Sequence, residues 1–133
     1  MYVANVRSLE TGRTSAIVVR ATEFKGKRAL DIRKEYNGRP TKKGAFLEIA
    51  SGQAQFVVKT LPKVLASTDG EASLPGDSFD TVVKRYEYRG MPGVSIRKES
   101  NGWGKGIWLK DAQAQWVAEV LSEDKCMTYE HYH

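Results

Sequence analysis

The feature that most restricts the fold of this chain is an internal repeat. Three matched segments occur in the same order in both halves: residues 32–35 and 96–99, residues 43–47 and 105–109, and residues 53–57 and 113–117. The first pair reads Ile-Arg-Lys-Glu in both copies, and each copy continues to an Asn-Gly pair. This pattern predicts a tandem duplication of one structural unit of about 50 residues.

Each copy has the strand and turn pattern of an antiparallel sheet. Strands are predicted at about residues 16–24, 28–36 and 45–49 of the first copy, and at about residues 80–88, 93–100 and 106–110 of the second. Tight turns are predicted at Lys25-Gly26 and Arg89-Gly90, because glycine accepts the positive φ of a hairpin turn. The two Asn-Gly pairs predict a further hairpin in each copy.

An amphipathic helix is predicted at the end of each copy. Its apolar stripe includes Phe56 in the first copy and Trp116 in the second, and both are interpreted as core or helix–helix contacts. Asp111 is a suitable N-cap for the second helix. Pro62 falls inside the first helix and is expected to kink or split it.

The predicted fold class is α+β: two tandem β-β-β-β-α units, each a curved four-stranded antiparallel sheet with one helix, packed as a pseudo-dimer. Packing the two helices together would bury apolar surface that one helix leaves uncovered. The predicted division is an N-terminal extension (1–15), a first repeat (16–66), a linker (67–79), a second repeat (80–121) and a C-terminal tail (122–133). Pairing of the copies across two chains is the alternative.

The positive charge of the chain is concentrated in its first half. The net charge is +5, but residues 1–66 carry 13 Lys or Arg against 5 acids, whereas residues 67–133 carry 8 against 11. Residues 25–43 alone hold eight cations and two acids, interleaved with Phe24 and Tyr36. Such a segment favours a binding face for a polyanion.

Composition excludes several other classes of protein. The single cysteine, Cys126, excludes a disulfide scaffold and a thiolate zinc site. No apolar run approaches the roughly 18 residues of a membrane span, and the N-terminus has no hydrophobic signal core. We therefore expect an intracellular protein, cytoplasmic or nucleoid-associated, with no membrane contact, cofactor or metal.

Cations and aromatic rings alternate with the core positions of the predicted strands. Strand periodicity places Arg20 and Phe24 on one face of the first copy, and Lys84 and Tyr88 on the equivalent face of the second. Cations can follow phosphates while flat rings stack on unpaired bases. The alternative is that Phe24 and Tyr88 only cover the sheet edge.

Two arginines recur at one position of the repeat. Arg33 and Arg97 could each clamp a phosphate. The competing interpretation is a salt bridge to a neighbouring carboxylate such as Asp31 or Glu99.

The stretch FKGKRALDIRKEYNGRPTKKG, followed by a strand and a glutamine-rich helix, resembles the core domain of the transcriptional positive cofactor 4 family. The resemblance covers residues 16–66 well and residues 80–121 more loosely. It implies binding of single-stranded DNA and unwinding duplex without sequence preference, along ridges formed by paired sheets. The mechanism we expect is a basic, aromatic-lined sheet groove that holds unpaired strands open. Family members usually work as homodimers of one-copy chains, so two fused copies suggest an intrachain pseudo-dimer, with further self-association and replication or transcription proteins as additional partners.

Matched positions carry the family's DNA contacts onto this sequence. The resemblance implies contacts from Phe24, Lys25, Lys27, Arg33, Tyr36, Lys42 and Lys43 in the first copy, and from Tyr88, Arg89, Arg97 and Lys105 in the second. The second copy departs at Met91, where a lysine is expected, and at Ser100, where an aromatic residue is expected. Its loop is two residues shorter, and Trp103 is interpreted as replacing the missing ring. The second copy is therefore expected to bind DNA more weakly.

Three other functions remain as alternatives. An enzyme is disfavoured because His131 and His133 form no metal pattern and the glycines at 102, 104 and 106 suit a hairpin rather than a nucleotide loop. A protein-interaction module for acidic partners would use the same cations without the rings. RNA could replace DNA, since only contacts to the 2′-OH discriminate between them. We expect a non-enzymatic, sequence-independent single-stranded DNA-binding protein acting in replication, recombination or transcription.

Overall fold

The computed structural model describes the backbone of residues 2–123 and the side chains of residues 6–122. Its elements, in chain order, are β1 (Tyr2–Glu10), β2 (Ser15–Phe24), β3 (Lys27–Tyr36), β4 (Arg39–Glu48), α1 (Gln53–Leu65), β5 (Glu71–Leu74), β6 (Asp80–Arg85), β7 (Gly93–Ser100), β8 (Trp103–Lys110) and α2 (Asp111–Glu123). The predictions made for Cys126, His131 and His133 lie outside the described residues.

The strands form two separate antiparallel sheets, each followed by a helix. One sheet has the order β1-β2-β3-β4 and the other β5-β6-β7-β8, so every strand pairs with its neighbour along the chain. The α+β class and the two tandem β4-α units predicted from the repeat are thereby confirmed. None of the helices within residues 2–123 is long and apolar enough to cross a membrane.

The first strand of each sheet lies outside the predicted repeats. Strand β1 falls in the segment assigned to an N-terminal extension, and β5 falls in the segment assigned to the linker. Ala72 and Leu74 of β5 are half-buried while Glu71 and Ser73 are exposed, as suits an edge strand that packs on one face only. The sheets therefore begin earlier in the chain than the repeat indicates.

Four two-residue turns connect the hairpins. Lys25-Gly26, Asn37-Gly38, Arg89-Gly90 and Asn101-Gly102 each have positive φ at both positions, between 52° and 78°. Two successive positive φ angles define the type I′ turn, whose twist matches that of the flanking strands. The turns predicted from these dipeptides are therefore confirmed.

The second copy departs from the first around the Arg89-Gly90 turn. Strand β6 ends at Arg85, not near residue 88. Beyond it the hairpin is joined by a hydrogen bond from the Tyr86 amide to the Gly93 carbonyl and by a bridge between Tyr88 and Met91. Conversely, β4 and β8 are longer than predicted, because each begins directly after its Asn-Gly turn. The strands of the two Asn-Gly hairpins, β3 with β4 and β7 with β8, therefore pair from the turn outward.

The two extra residues of the first copy lie within a strand, so the prediction of a shorter loop in the second copy is wrong. Both Asn-Gly turns contain two residues, but the register between β3 and β4 shifts after Arg33, which faces Gly44, while Glu35 faces Pro40. The register between β7 and β8 is regular. The insertion therefore forms a bulge in β4, and we call residues 41–43 the β4 bulge.

The helices keep their predicted stripes, but α1 is not split at Pro62 and Asp111 is not the N-cap of α2. Helix α1 continues through Pro62, which lies in its last turn, and the Ala66 amide still donates to the Pro62 carbonyl at 3.1 Å. Proline this close to the C-terminus removes one hydrogen bond and leaves the helix unsplit. Asp111 is the first residue of α2 rather than its N-cap, and its carboxylate pairs with Arg85.

The two units share one hydrophobic core. It is built from one face of each sheet together with α1 and α2, which pack against each other. Phe56 and Trp116 are partly buried against this core, as predicted. Leu61 and Leu121, one on each helix, are almost completely buried.

Candidate nucleic-acid interface

The outer face of the first sheet holds the cations and rings placed there by strand periodicity. In β2, Val19 and Ala21 belong to the core, so Arg20 and Phe24 lie on the opposite face. In the second sheet, Val83 belongs to the core and Lys84 therefore lies on the outer face, half-buried. The outer face thus carries the cations, although Val18 and Val82 also lie on it and are buried.

The arginines on this face are bound to carboxylates. Arg33 Nη2 donates to Asp31 Oδ1 at 2.9 Å, and Arg97 Nε lies 3.6 Å from Glu99 Oε2. Arg20 pairs with Glu35 across the sheet. The salt-bridge interpretation of Arg33 and Arg97 is therefore observed, and their charge is partly neutralised within the protein.

Arg33 also supports the β4 bulge. Its Nη1 donates to the Thr41 carbonyl at 2.8 Å, and Thr41 Oγ1 donates to the Lys34 carbonyl at 2.8 Å. Gly44 faces Arg33, and a Cβ atom at Gly44 would lie 2.5 Å from the guanidinium carbon. The missing side chain leaves space for the arginine to lie across the strand. Arg33 thus positions the bulge that carries Lys42 and Lys43.

Four candidate rings are exposed to solvent at the hairpins. The exposed fractions are 49% for Phe24, 58% for Tyr36, 47% for Tyr88 and 74% for Trp103. Each ring lies at the end of a strand or within one residue of a two-residue turn. Water-exposed rings of this size are available for stacking, since burial in the core does not occupy them.

Cations accompany two of these rings at the turns. Lys25 Nζ lies 5.4 Å from the centroid of the Phe24 ring, and Arg89 Cζ lies 5.3 Å from that of Tyr88. Both cations have the left-handed conformation of a type I′ turn. The two turns therefore present the same pairing of ring and cation, one in each copy.

The remaining candidate lysines differ in whether a carboxylate of the protein lies close to them. Lys42, Lys43 and Lys105 are exposed, and none of them forms an ion pair with a carboxylate in the described part of the chain. Lys27 Nζ lies 3.3 Å from Glu48 Oε1, but its side chain stays largely solvent-exposed. The lysines of the β4 bulge thus carry positive charge that no described carboxylate compensates.

The two sheets meet at a seam of reciprocal contacts that the sequence did not reveal. Strand β4 lies against β8. Lys34 Nζ lies 5.9 Å from the Trp108 ring centroid, and Lys98 Nζ lies 5.5 Å from that of Phe46. Lys34 and Lys98 are equivalent in the repeat, as are Phe46 and Trp108. Such an exchange of equivalent contacts is characteristic of a twofold relation between two units.

Burial lowers the pKa of both seam lysines. For Lys34, desolvation is the main cause, followed by repulsion from Lys43 and Lys110. For Lys98, desolvation again dominates; Lys27 lowers the pKa further, while Glu48 and Asp31 oppose the shift. Both ammonium groups are therefore held where charge is less well solvated than in water.

A cavity of about 430 Å³ opens at the seam. Residues from both copies line it, including Arg33, Phe46, Phe79, Lys98, Trp103 and Lys105. Phe79 was not singled out from the sequence, because its position before β6 gives no periodic signal. The repeat does show equivalent lysines, Lys34 and Lys98, and equivalent rings, Phe46 and Trp108, but their pairing depends on how the two sheets pack.

The described side chains were compared with the pattern of a metal site and the chain with known proteins. No group of three His, Cys, Asp or Glu side chains that could hold a metal ion occurs among residues 6–122. A scan against protein-family models finds no match for this chain, and a search of the curated proteins finds no relative.

Proposed function

We propose that this chain is a non-enzymatic protein that binds single-stranded DNA without sequence preference and acts in replication, recombination or transcription. The observation that carries the proposal is the set of four exposed rings at the hairpins of both sheets, two of which, Phe24 and Tyr88, lie beside a cation. Proteins that bind unpaired strands combine basic grooves with rings on which bases stack. A tandem pair of positive cofactor 4-like units is the family assignment that fits this proposal.

Stacking explains why the proposed ligand is an unpaired strand. In a duplex the faces of the bases are occupied by their neighbours, whereas a single strand offers them to exposed rings such as Phe24 and Tyr36. Each stacked base contributes about 1–3 kcal/mol, and every base has a face to offer. Sequence-independent binding follows from this chemistry.

Lysines supply most of the phosphate attraction in the proposed mechanism. The arginines of the outer face already have carboxylate partners, whereas Lys42 and Lys43 project from the β4 bulge. The second copy lacks the bulge. The first copy is therefore the stronger DNA-binding half in this proposal.

The first test is a fluorescence-anisotropy titration with a labelled oligo-dT and with a matching duplex, at two salt concentrations. We expect salt-sensitive binding that strongly prefers the single strand. Oligo-U is then used as competitor, because equal or better competition would favour RNA as the ligand. Absent or duplex-preferring binding would contradict the proposal.

Variants separate strand binding from docking of an acidic protein. Phe24→Ala and Tyr88→Ala should each weaken oligo-dT binding by about fivefold or more, because each removes a stacking ring. An adaptor that uses only charge would be insensitive to both substitutions. Lys59→Gln, on the exposed side of α1, is the matched control and should leave the affinity nearly unchanged.

A further inference from the structure

The seam cavity is not duplicated along with the repeat. Phe79 lines it, but the equivalent position of the first copy, 64 residues earlier, is Ser15, which provides no ring. Trp103 follows the Asn-Gly turn of the second copy, and Arg39 occupies the corresponding place after the first turn. Divergence between the copies has therefore placed two aromatic rings at one end of the seam.

Two phenylalanine rings that line the cavity lie beside the same cation. Lys98 Nζ lies 4.8 Å from the ring centroid of Phe79 and 5.5 Å from that of Phe46, so one ammonium group contacts rings from both copies. Trp103, with 74% of its surface exposed, forms a wall whose indole is open to a ligand. The volume of about 430 Å³ is within the range of small-molecule sites.

From this arrangement we infer that the seam cavity holds one unpaired base of the bound strand. The inference rests on the proposed function and assigns a particular place within it. A flat base can stack on Trp103, and the Lys98 ammonium can donate hydrogen bonds to its carbonyl oxygens. Lys105 is exposed at the rim, where it can contact a phosphate next to that base.

The seam cavity binds one base of the strand differently from the others. Elsewhere the exposed rings can stack on whichever base lies over them, whereas the cavity brings side chains of both copies around one base. A strand with a single base should therefore be bound more tightly than its bare sugar-phosphate chain, provided that the cavity is intact.

The experiment compares three oligonucleotides of equal length with the full chain: oligo-dT, an entirely abasic strand, and an abasic strand with one central thymine. We expect the single thymine to raise affinity at least about fivefold over the abasic strand. Trp103→Ala and Phe79→Ser should each reduce this gain to below about twofold while the abasic strand is bound as before. Ser15→Ala, at the position equivalent to Phe79, is the matched control and should keep the gain.

The outcomes separate this inference from the proposed function. If wild-type protein binds oligo-dT but the single thymine gives no gain, or if the gain survives both cavity substitutions, the cavity is not a base site although strand binding stands. If wild-type protein binds none of the three strands, the proposed function fails, and with it the inference. Circular dichroism checks the fold, and Trp103→Ala, at an exposed position, keeps the test decisive if Phe79→Ser does not fold.

Discussion

Removing the two exposed lysines of the β4 bulge changes the salt dependence of strand binding by a predictable amount. Lys42 and Lys43 form no ion pair with a described carboxylate, so each is available to one phosphate. Each phosphate contact on a single strand contributes about −0.7 to the slope of log K against log salt concentration. The double variant Lys42→Gln/Lys43→Gln should therefore have a slope shallower by about 1.4.

Because the slopes differ, the affinities of the wild-type protein and the variant should converge measurably as the salt concentration rises. Between about 50 mM and about 200 mM salt, the ratio of wild-type to variant affinity should fall by about sevenfold. Anisotropy titrations with labelled oligo-dT at four or five salt concentrations measure both slopes. The control Lys59→Gln/Lys63→Gln removes the same charge from exposed positions of α1 and should leave the slope within about 0.3 of wild type. Equal effects of the two double variants would refute the reasoning, because they would show a response to net charge alone.

Three further predictions concern stability and its separation from binding. Lys25→Asn should raise the free energy of unfolding by about 1 kcal/mol in urea titrations, because asparagine adopts the left-handed turn conformation more easily, and should weaken oligo-dT binding through loss of the cation. Arg85→Ala should lower the free energy of unfolding by about 2–4 kcal/mol, since Arg85 donates to the Ser67 and Leu65 carbonyls and pairs with Asp111. The affinity of the folded variant for oligo-dT should not change. The pKa of Lys98 is lowered in the folded state, so the unfolded chain binds more protons than the folded chain as the pH rises towards 10.5. The free energy of unfolding of the wild-type protein, measured in urea titrations, should therefore increase over this pH window relative to that of Lys98→Met. An equal pH dependence of the two proteins would contradict desolvation of Lys98 as the cause.

The turns of this fold could be predicted from sequence because their causes are local. A dipeptide such as Asn37-Gly38 accepts two positive φ angles at little cost, and the apolar residues on either side fix which face is buried. The repeat then transferred each assignment to the other copy. These two signals together account for the correct fold class.

The edge strands and the bulge could not be predicted in the same way. Strand β5 is stabilised by its backbone pairing with β6 and buries little side-chain surface, so its polar sequence resembles a linker. The two-residue insertion is visible as a change of offset, but only the register of β3 with β4 shows where the extra residues lie. Long-range pairing determines both features.

The candidate site shows the same division between local and distant causes. The exposed rings Phe24 and Tyr36 follow from strand periodicity and turn position. Whether Arg33 faces a phosphate or Asp31 depends on which rotamer the neighbouring strand permits, and Gly44 provides that space from β4. Phe79 enters the site only because the second sheet packs against the first.

The short connection between α1 and β5 has a consequence for how the protein responds to dilution. Five residues, 66–70, separate Leu65 from Glu71, so the two halves stay at an effective mutual concentration of about millimolar or higher. Two separate chains with the same contacts would come apart as the protein becomes scarce, whereas here assembly is unimolecular. Because the two halves belong to one chain, their sequences need not be identical, as they must be in a homodimer. One half can then specialise in electrostatic attraction while the other acquires a distinct aromatic surface.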